Sequence, residues 1–249
     1  MDNYINNYEN FEKKIVYYFN IGDGGIGDYI KFFMFALEIC IKNNIRLYHT
    51  KKNIQIEKYI KLKYDKMYID ENNIKKIGLI KAVTPYTFYS DFNWDFSLKI
   101  NEVFYFTDEV KLNSKYLFPI NIDNYISIHL RLGDKYLETD KKYVVCKDDT
   151  RDFSEEKIFK FIEENYNKNI FFCCDNKHYK LKIKEKYTNI IITNCDIGHT
   201  SLTNTSEKHV LDGITEFFIL TNSKTIFSGS SSGFSMAASK FNDISLIQI

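Results

Sequence analysis

Residues 125–135 read YISIHLRLGDK. β-Branched, aromatic and aliphatic side chains dominate the first six, which predicts a strand over 125–130, and Gly133 allows a tight turn directly after it. Side chains alternate along a strand, so His129 and Arg131 point to one side, at the strand's C-terminal end. Parallel sheets take up ligands just beyond that edge. A guanidinium there presents a planar fork suited to a diphosphate, whose charge grows as it departs in a transfer reaction. The same residues admit a plainer reading. In it, Arg131 and Asp134 form a strand-end ion pair and His129 is a hydrogen-bonded core histidine.

Outward from this strand, short apolar runs alternate with longer segments of helical period, as in parallel α/β units. Downstream, Ser154 is placed to cap a helix running to about residue 167, with Glu155 and Glu156 in its first turn. Strand 170–174, helix 177–186, strand 189–193 and helix 206–221 follow. Strand 225–228, a serine-rich turn, a short helix near 234–240 and strand 244–249 complete the series. Upstream, strand 15–21 (IVYYFNI) runs into a glycine-rich turn at 22–27 and a helix over 28–44. Further strands are expected at 46–49, 66–69, 74–80 (IKKIGLI) and 102–106 (EVFYF), with a helix at 54–62 and a loop at 84–96. The lysine-rich stretch at 56–66, IEKYIKLKYDK, reads as a solvated helix face. The expected fold class is α/β, with two Rossmann-like domains facing a cleft. They comprise residues 1–120 and 121–249, joined near 112–123, and a chain of 249 residues accommodates two domains of roughly 120 each.

Composition narrows the function classes. With 44% hydrophobic residues a sizeable core is available, so wholesale disorder is excluded. Lys+Arg 34 against Asp+Glu 33 leaves a net charge of +1, which supplies no field to hold a nucleic acid. No apolar run approaches the roughly 18–20 residues of a membrane span, and the start, MDNYINNYENFEKK, has no apolar signal core. A cytoplasmic location is expected. The five cysteines (Cys40, Cys146, Cys173, Cys174 and Cys195) are odd in number and lack a C-x-x-C spacing, so they read as free thiols. The 19 tyrosines and 21 phenylalanines could stack on sugars, but core packing accounts for them more simply.

Three further segments have chemical potential. Gly22-Asp23-Gly24-Gly25-Ile26-Gly27-Asp28 joins a strand to a helix and lets the backbone approach an anion at the helix N-terminus. It lacks the Gly-Lys-Ser/Thr of a P-loop, and no acidic residue closes the next strand as a dinucleotide site requires. Residues 228–235, SGSSSGFS, again follow a strand and precede a helix, a setting that suits phosphate oxygens. Asp175-Asn176 follows the strand IFFCC, where the carboxylate either accepts from a nucleoside or caps the next helix. No D-x-D is present, and adjacent Cys173 and Cys174 point to opposite faces of a strand, so no metal is expected. His199 and His209 lie near Ser201 and Asp212 without a Gly-x-Ser-x-Gly elbow, which speaks against a hydrolase.

In order along the chain, HLRLGD, FCCDN, and Asp212 through FFIL to SGSSSGFSMAAS resemble the fucosyltransferase superfamily with an H-x-R-x-G-D signature. The match is nearest to the α-1,2-fucosyltransferase group; α-1,6- and protein O-fucosyltransferases are more distant. GGIGD at residues 24–28 resembles the G-G-x-G-N loop of that group. The resemblance implies a metal-independent, inverting transferase of the two-Rossmann-domain GT-B type. It would move fucose from GDP-fucose to a glycan hydroxyl, with no cofactor beyond the donor. It further implies that Arg131 clamps the diphosphate, His129 holds donor phosphate or sugar, and Asp175 meets the nucleoside. Ser232 and Ser235, flanking Phe234, would receive the β-phosphate, and Asp212 would support the site. Gly25, Gly27 and Asp28 would line the donor cleft from the other domain. Asp28 stands where the family has Asn, and Gly233 where it has Ser or Thr. Asp134 and Glu138 are the carboxylates expected within reach of an acceptor proton. Two alternatives stay open: a transferase of another nucleotide sugar, and a non-catalytic nucleotide- or glycan-binding relative.

Overall fold

The computed structural model describes residues 1–50, 54–78, 80–118, 124–137, 146, 148–200, 202 and 205–248. Strands β1 (Lys14–Tyr17), β2 (Arg46–Thr50), β4 (Tyr68–Ile69) and β5 (Ile80–Val83) form one parallel sheet in the order β4-β2-β1-β5. Helix α1 (Asp2–Asn6) precedes them, and α2 (Ile26–Lys42), α3 (Ile56–Tyr59) and α4 (Glu71–Ile74) lie between them in sequence. Strand β3 (Ile60–Leu62) leaves this sheet and pairs antiparallel with β6 (Phe104–Phe106), which follows α5 (Ile100–Val103) and precedes α6 (Asp108–Leu117).

A second parallel sheet has the order β11-β10-β7-β8-β9. Its strands are β7 (Tyr125–Leu130), β8 (Asn169–Cys174), β9 (Ile190–Ile191), β10 (Thr225–Ser228) and β11 (Ser245–Gln248). The helices are α7 (Glu155–Glu164), α8 (Lys177–Lys186), α9 (Glu207–Leu220) and α10 (Gly233–Phe241). Caps fall where short polar residues precede a helical period. Ser154, Asn176, Ser206 and Ser232 each accept from a backbone N–H in the first turn of the helix that follows. The cap of α8 is thus Asn176 and not its neighbour Asp175.

Alternation along β7 and β8 sorts side chains into two layers. Ile126, Ile128, Leu130, Phe172 and Cys174 pack with Ile158 and Ile162 of α7 and Ile183 of α8. Tyr125, Phe171 and Cys173 face the other way, toward Phe217 of α9 and Ala237 and Ala238 of α10. This second cluster continues into Tyr17, Phe33 and Phe104 of the N-terminal half. Phe106 lies 6.0, 5.0 and 4.8 Å from the rings of Phe217, Phe218 and Phe241. The largest apolar cluster therefore runs through both halves.

Most expected elements appear within a few residues, but the stretch 54–80 differs. The helix over 54–62 is one turn, and Ile60–Leu62 is strand because β6 offers a pairing edge. Ile56, Tyr59, Ile60 and Leu62 are buried, so this lysine-rich stretch is not a solvated helix face. Of the strand expected at 74–80, residues 74–78 are not strand, since α4 ends at Ile74, and β5 begins only at Ile80. The expected junction at 112–123 falls partly on α6 and partly outside the described residues.

Helices α2 and α10 meet at their first turns. A Cβ on Gly27 would lie 2.5 Å from the backbone C and O of Gly233. A Cβ on Gly233 would meet Gly27 Cα only at 4.0 Å, an ordinary contact. Gly27→Ala is therefore expected to destabilise the fold by about 1–3 kcal/mol, while Gly233→Ala stays within about 1 kcal/mol of wild type. Urea unfolding of the two variants checks this; equal losses would contradict the backbone contact.

Candidate active site

In each sheet the chain leaves the central strand in one direction and later returns on its other side. β1 lies between β2 and β5, and β7 between β8 and β10. Ligands of open parallel sheets bind at such switch points, outside the strands' C-terminal ends. A cleft of about 480 Å³ lies there, lined by residues from both halves. The start of α2 contributes Gly25, Gly27, Asp28 and Lys31, and the start of α10 contributes Ser232, Gly233 and Phe234. Helix N-termini carry unpaired N–H groups and a partial positive charge. At α2, the Gly25 N–H donates to Asp28 Oδ2 at 3.2 Å, and Asp28 Oδ1 lies 2.5 Å from Lys31 Nζ. At α10, Ser232 Oγ accepts from the Phe234 N–H at 3.2 Å.

Arg131 emerges from β7 into a ring of carboxylates. Its Nη1 lies 2.8 Å from Asp175 Oδ2, its Nη2 pairs with Asp134 Oδ1, and Asp149 Oδ2 is 4.0 Å away. Arg151 pairs with Asp149 at 3.1 Å. Asp175 also accepts from the Leu132 and Gly133 N–H groups, at 2.8 and 3.0 Å. Gly133 has φ +108°, a conformation that disfavours any side chain, so the turn that presents Arg131 depends on it. Burial lifts the Asp175 carboxyl above its ordinary value, and Arg131 with the two N–H groups pulls it back only in part. Asp134 is buried and accepts from the Cys146 N–H at 3.2 Å.

The expected residues thus divide. His129, Arg131, Asp134, Asp175, Ser232, Phe234, Gly25, Gly27 and Asp28 line one cleft. Ser235 does not; it is fully buried, bonded to Ser228 Oγ at 2.7 Å and Ser232 O at 3.1 Å. Asp212 is buried away from the cleft lining, accepting from Asn113 at 3.2 Å and pairing with Lys208. Glu138 lies outside the described residues. The strand-end ion pair between Arg131 and Asp134 is present, alongside the cleft position rather than instead of it. Sequence reading missed Lys31, Asp149, Arg151 and Glu216 in the cleft, and His199, weighed only for a hydrolase, lines it too. The charges in the loop after Arg131 were the one visible signal, for Asp149 and Arg151. Burial is the main cause that lowers the His199 imidazole, with Asp134, Asp28 and Asp149 opposing it. Among the described residues no His/Cys/Asp/Glu group could hold a metal ion, and no helix is long and apolar enough to cross a membrane.

His129 stacks on Phe234 with ring centroids 4.9 Å apart and an interplanar angle of 21°. Its Nδ1 is buried and has no hydrogen-bond partner among the described residues. Burial, reinforced by Arg131, lowers its pKa from 6.5 to about 3. The unfolded chain therefore takes up this proton before the folded one does. The associated stability is complete above pH 6.5 and is lost as pH falls toward 3. Relative to a His129→Gln variant, wild type should lose about 2 kcal/mol between pH 7.5 and 5. Urea titrations at both pH values measure this, and parallel slopes would contradict the buried neutral state.

No family model matches the sequence, and no curated protein matches it. Solved structures do. NodZ α-1,6-fucosyltransferase co-crystallized with GDP is similar over 91% of this chain and 91% of its own, with a TM-score of 0.59 at 11% identity. Fucosyltransferase NodZ from Bradyrhizobium gives 0.57 at 10% identity, over 91% of this chain and 92% of its own. POFUT1 in complex with GDP gives 0.54 at 11% identity, over 96% of this chain and 98% of its own. At these identities the likeness is one of fold: this chain has the mixed α/β fold of these fucosyltransferases.

Proposed function

We propose that the protein is an inverting glycosyltransferase that moves fucose from GDP-fucose to a glycan hydroxyl. The observation that carries this reading is the convergence of Arg131 with the starts of α2 and α10 on one cleft. It is supported by a fold shared with fucosyltransferases, among them NodZ soaked with GDP-fucose. On this reading the two parallel sheets belong to two Rossmann-like domains, 1–120 and 121–249, in the GT-B arrangement. The H-x-R-x-G-D motif set favours the α-1,2 group.

The donor diphosphate sits at the N-terminus of α10, where Ser232 and the first N–H groups meet its oxygens and Arg131 takes the charge that grows on departure. The stacked His129 and Phe234 form the adjoining wall. Asp175 holds the turn and the guanidinium in place rather than meeting the nucleoside, because its oxygens already accept from Leu132, Gly133 and Arg131. Asp212 ties α9 to α6 through Asn113, and Ser235 ties α10 to β10 through Ser228. The fixed Arg131 guanidinium and the N–H groups that open α10 take the place of a divalent ion in this reading. Asp134 is too fully paired to serve as a strong base, which favours a reaction with much leaving-group departure before attack.

Calorimetric titration with GDP, UDP, ADP and CMP tests the donor. Preference for GDP is expected; preference for another nucleotide supports a different nucleotide sugar, and no binding overturns the donor site. Arg131→Lys should weaken GDP roughly ten- to a hundredfold, because an ammonium cannot reproduce the fork. Release of fucose from GDP-fucose should persist in excess EDTA, and loss restored by manganese would sink the metal-independent class.

Ser232→Ala should weaken GDP more than GMP, which lacks the terminal phosphate. Ser235→Ala should instead lower stability by about 1 kcal/mol and leave both affinities intact. Melting temperatures beside GDP and GMP affinities separate the two serines.

A further inference from the structure

The cleft wall contributed by the N-terminal half is chemically unlike the wall around Arg131. Its charged groups are Asp28 and Lys31, partly buried and 2.5 Å apart. Beside them is Tyr89, on the turn after β5, which lines the cleft with 72% of its surface exposed. Phe234, on the opposite wall, already has one face covered by His129. Tyr89 leans on Phe32, with centroids 6.2 Å apart and planes at 31°. Phe32 is fixed in turn by Phe92 at 5.3 Å and by the Lys31 ammonium 4.6 Å from its ring centre. The result is an aromatic ring braced from beneath, exposed to the cleft, and set next to a carboxylate–ammonium pair.

That combination suits a neutral sugar better than a phosphate. A pyranose offers a face of C–H groups and a rim of hydroxyls, and a flat aromatic surface takes the first. Asp28 accepts from hydroxyls and Lys31 donates to their oxygens, whereas the Asp28 carboxylate repels a phosphate. We propose that Tyr89, Asp28 and Lys31 form the acceptor subsite and hold one pyranose ring of the acceptor glycan; this rests on the glycosyltransferase reading above. Asp28, expected at the donor, then faces the acceptor instead.

Saturation-transfer NMR on the full chain with GDP tests the subsite. The probes are methyl β-D-galactopyranoside, methyl α-D-mannopyranoside and methyl N-acetyl-β-D-glucosaminide at millimolar concentrations. At least one should receive saturation from wild type, with affinity falling about three- to tenfold in Tyr89→Ala and recovering in Tyr89→Trp. Tyr86→Ala is the control, since Tyr86 is 69% exposed on the same turn but is not part of the cleft lining. Equal transfer from wild type and Tyr89→Ala, or none from wild type to any of the three, overturns the subsite. A GDP titration alongside keeps the two readings apart. Tyr89-dependent glycoside binding without GDP binding would sink the donor assignment and leave the sugar subsite standing.

Discussion

The backbones of α2 and α10 touch where each helix begins, at Gly27 and Gly233, with room for no side chain on Gly27. α2 follows β1 and α10 follows β10, each an inner strand of its sheet, so this contact brings the C-terminal edges of both sheets to one place. It also sets two helix N-termini side by side, the α2 end carrying the Asp28 carboxylate that accepts from the Gly25 N–H. A carboxylate at a helix N-terminus contributes about 0.3–1 kcal/mol at the surface, and more where water is excluded. The apolar cluster of Phe106, Phe217, Phe218 and Phe241 presses the two halves together and holds this arrangement. A diphosphate at the α10 end would meet the N–H groups there at a position that the contact between the two glycines fixes.

Around Arg131 the balance of charge runs the other way. Arg131 and Arg151 face Asp134, Asp149 and Asp175, an excess of one carboxylate. Affinity for an anion therefore cannot come from net charge at this spot. It comes from direction: the carboxylates hold the guanidinium fork still, and the N–H groups of Leu132 and Gly133 compensate Asp175. A buried polar network that is fully paired is rigid, whereas one missing partner makes it costly. The family resemblance assigned Asp175 to the nucleoside. The geometry shows a carboxylate whose acceptor sites are occupied by the turn that it shapes.

The second sheet was legible from sequence because its strands are short apolar runs with clean alternation. Tyr125–Leu130, Asn169–Cys174 and Thr225–Ser228 fall within a residue of expectation, and Ser154, Ser206 and Ser232 cap the helices that they precede. The stretch 54–80 was not legible, since Ile60–Leu62 becomes strand only through a partner more than forty residues away. At the site, motif residues on strand ends were found and their roles were less so. Ser232 and Ser235 look equivalent in SGSSSGFS, yet one opens the cleft wall and the other is buried against β10. A helical turn separates those fates, and spacing alone does not reveal which side the partner sheet covers. Tyr89 was invisible for the opposite reason: among so many aromatic residues, only its exposure inside a cleft distinguishes it.

The floor of the cleft shows how much of the wall around Arg131 is built in advance. Lys180 of α8 is fully buried, with its Nζ 2.8 Å from Glu216 Oε1 of α9. Glu216 also accepts from Thr193 and from Cys173 Sγ, the latter at 3.2 Å. Burial alone would lower the pKa of the Lys180 ammonium, but Glu216, Cys173 and Cys195 outweigh it and the net shift is upward. Removing one member of such a pair leaves an uncompensated buried charge, typically at about 3–5 kcal/mol. Glu216 and Cys173 line the cleft while Lys180 stands behind them, so a floor of fixed polarity exists before any ligand arrives. A ligand then meets groups already ordered by the protein's own network and forgoes less entropy in ordering them. Among the described residues the N-terminal wall, with Tyr89 exposed on a turn, has no buried ion pair of this kind, so substitutions on that side would disturb the fold least.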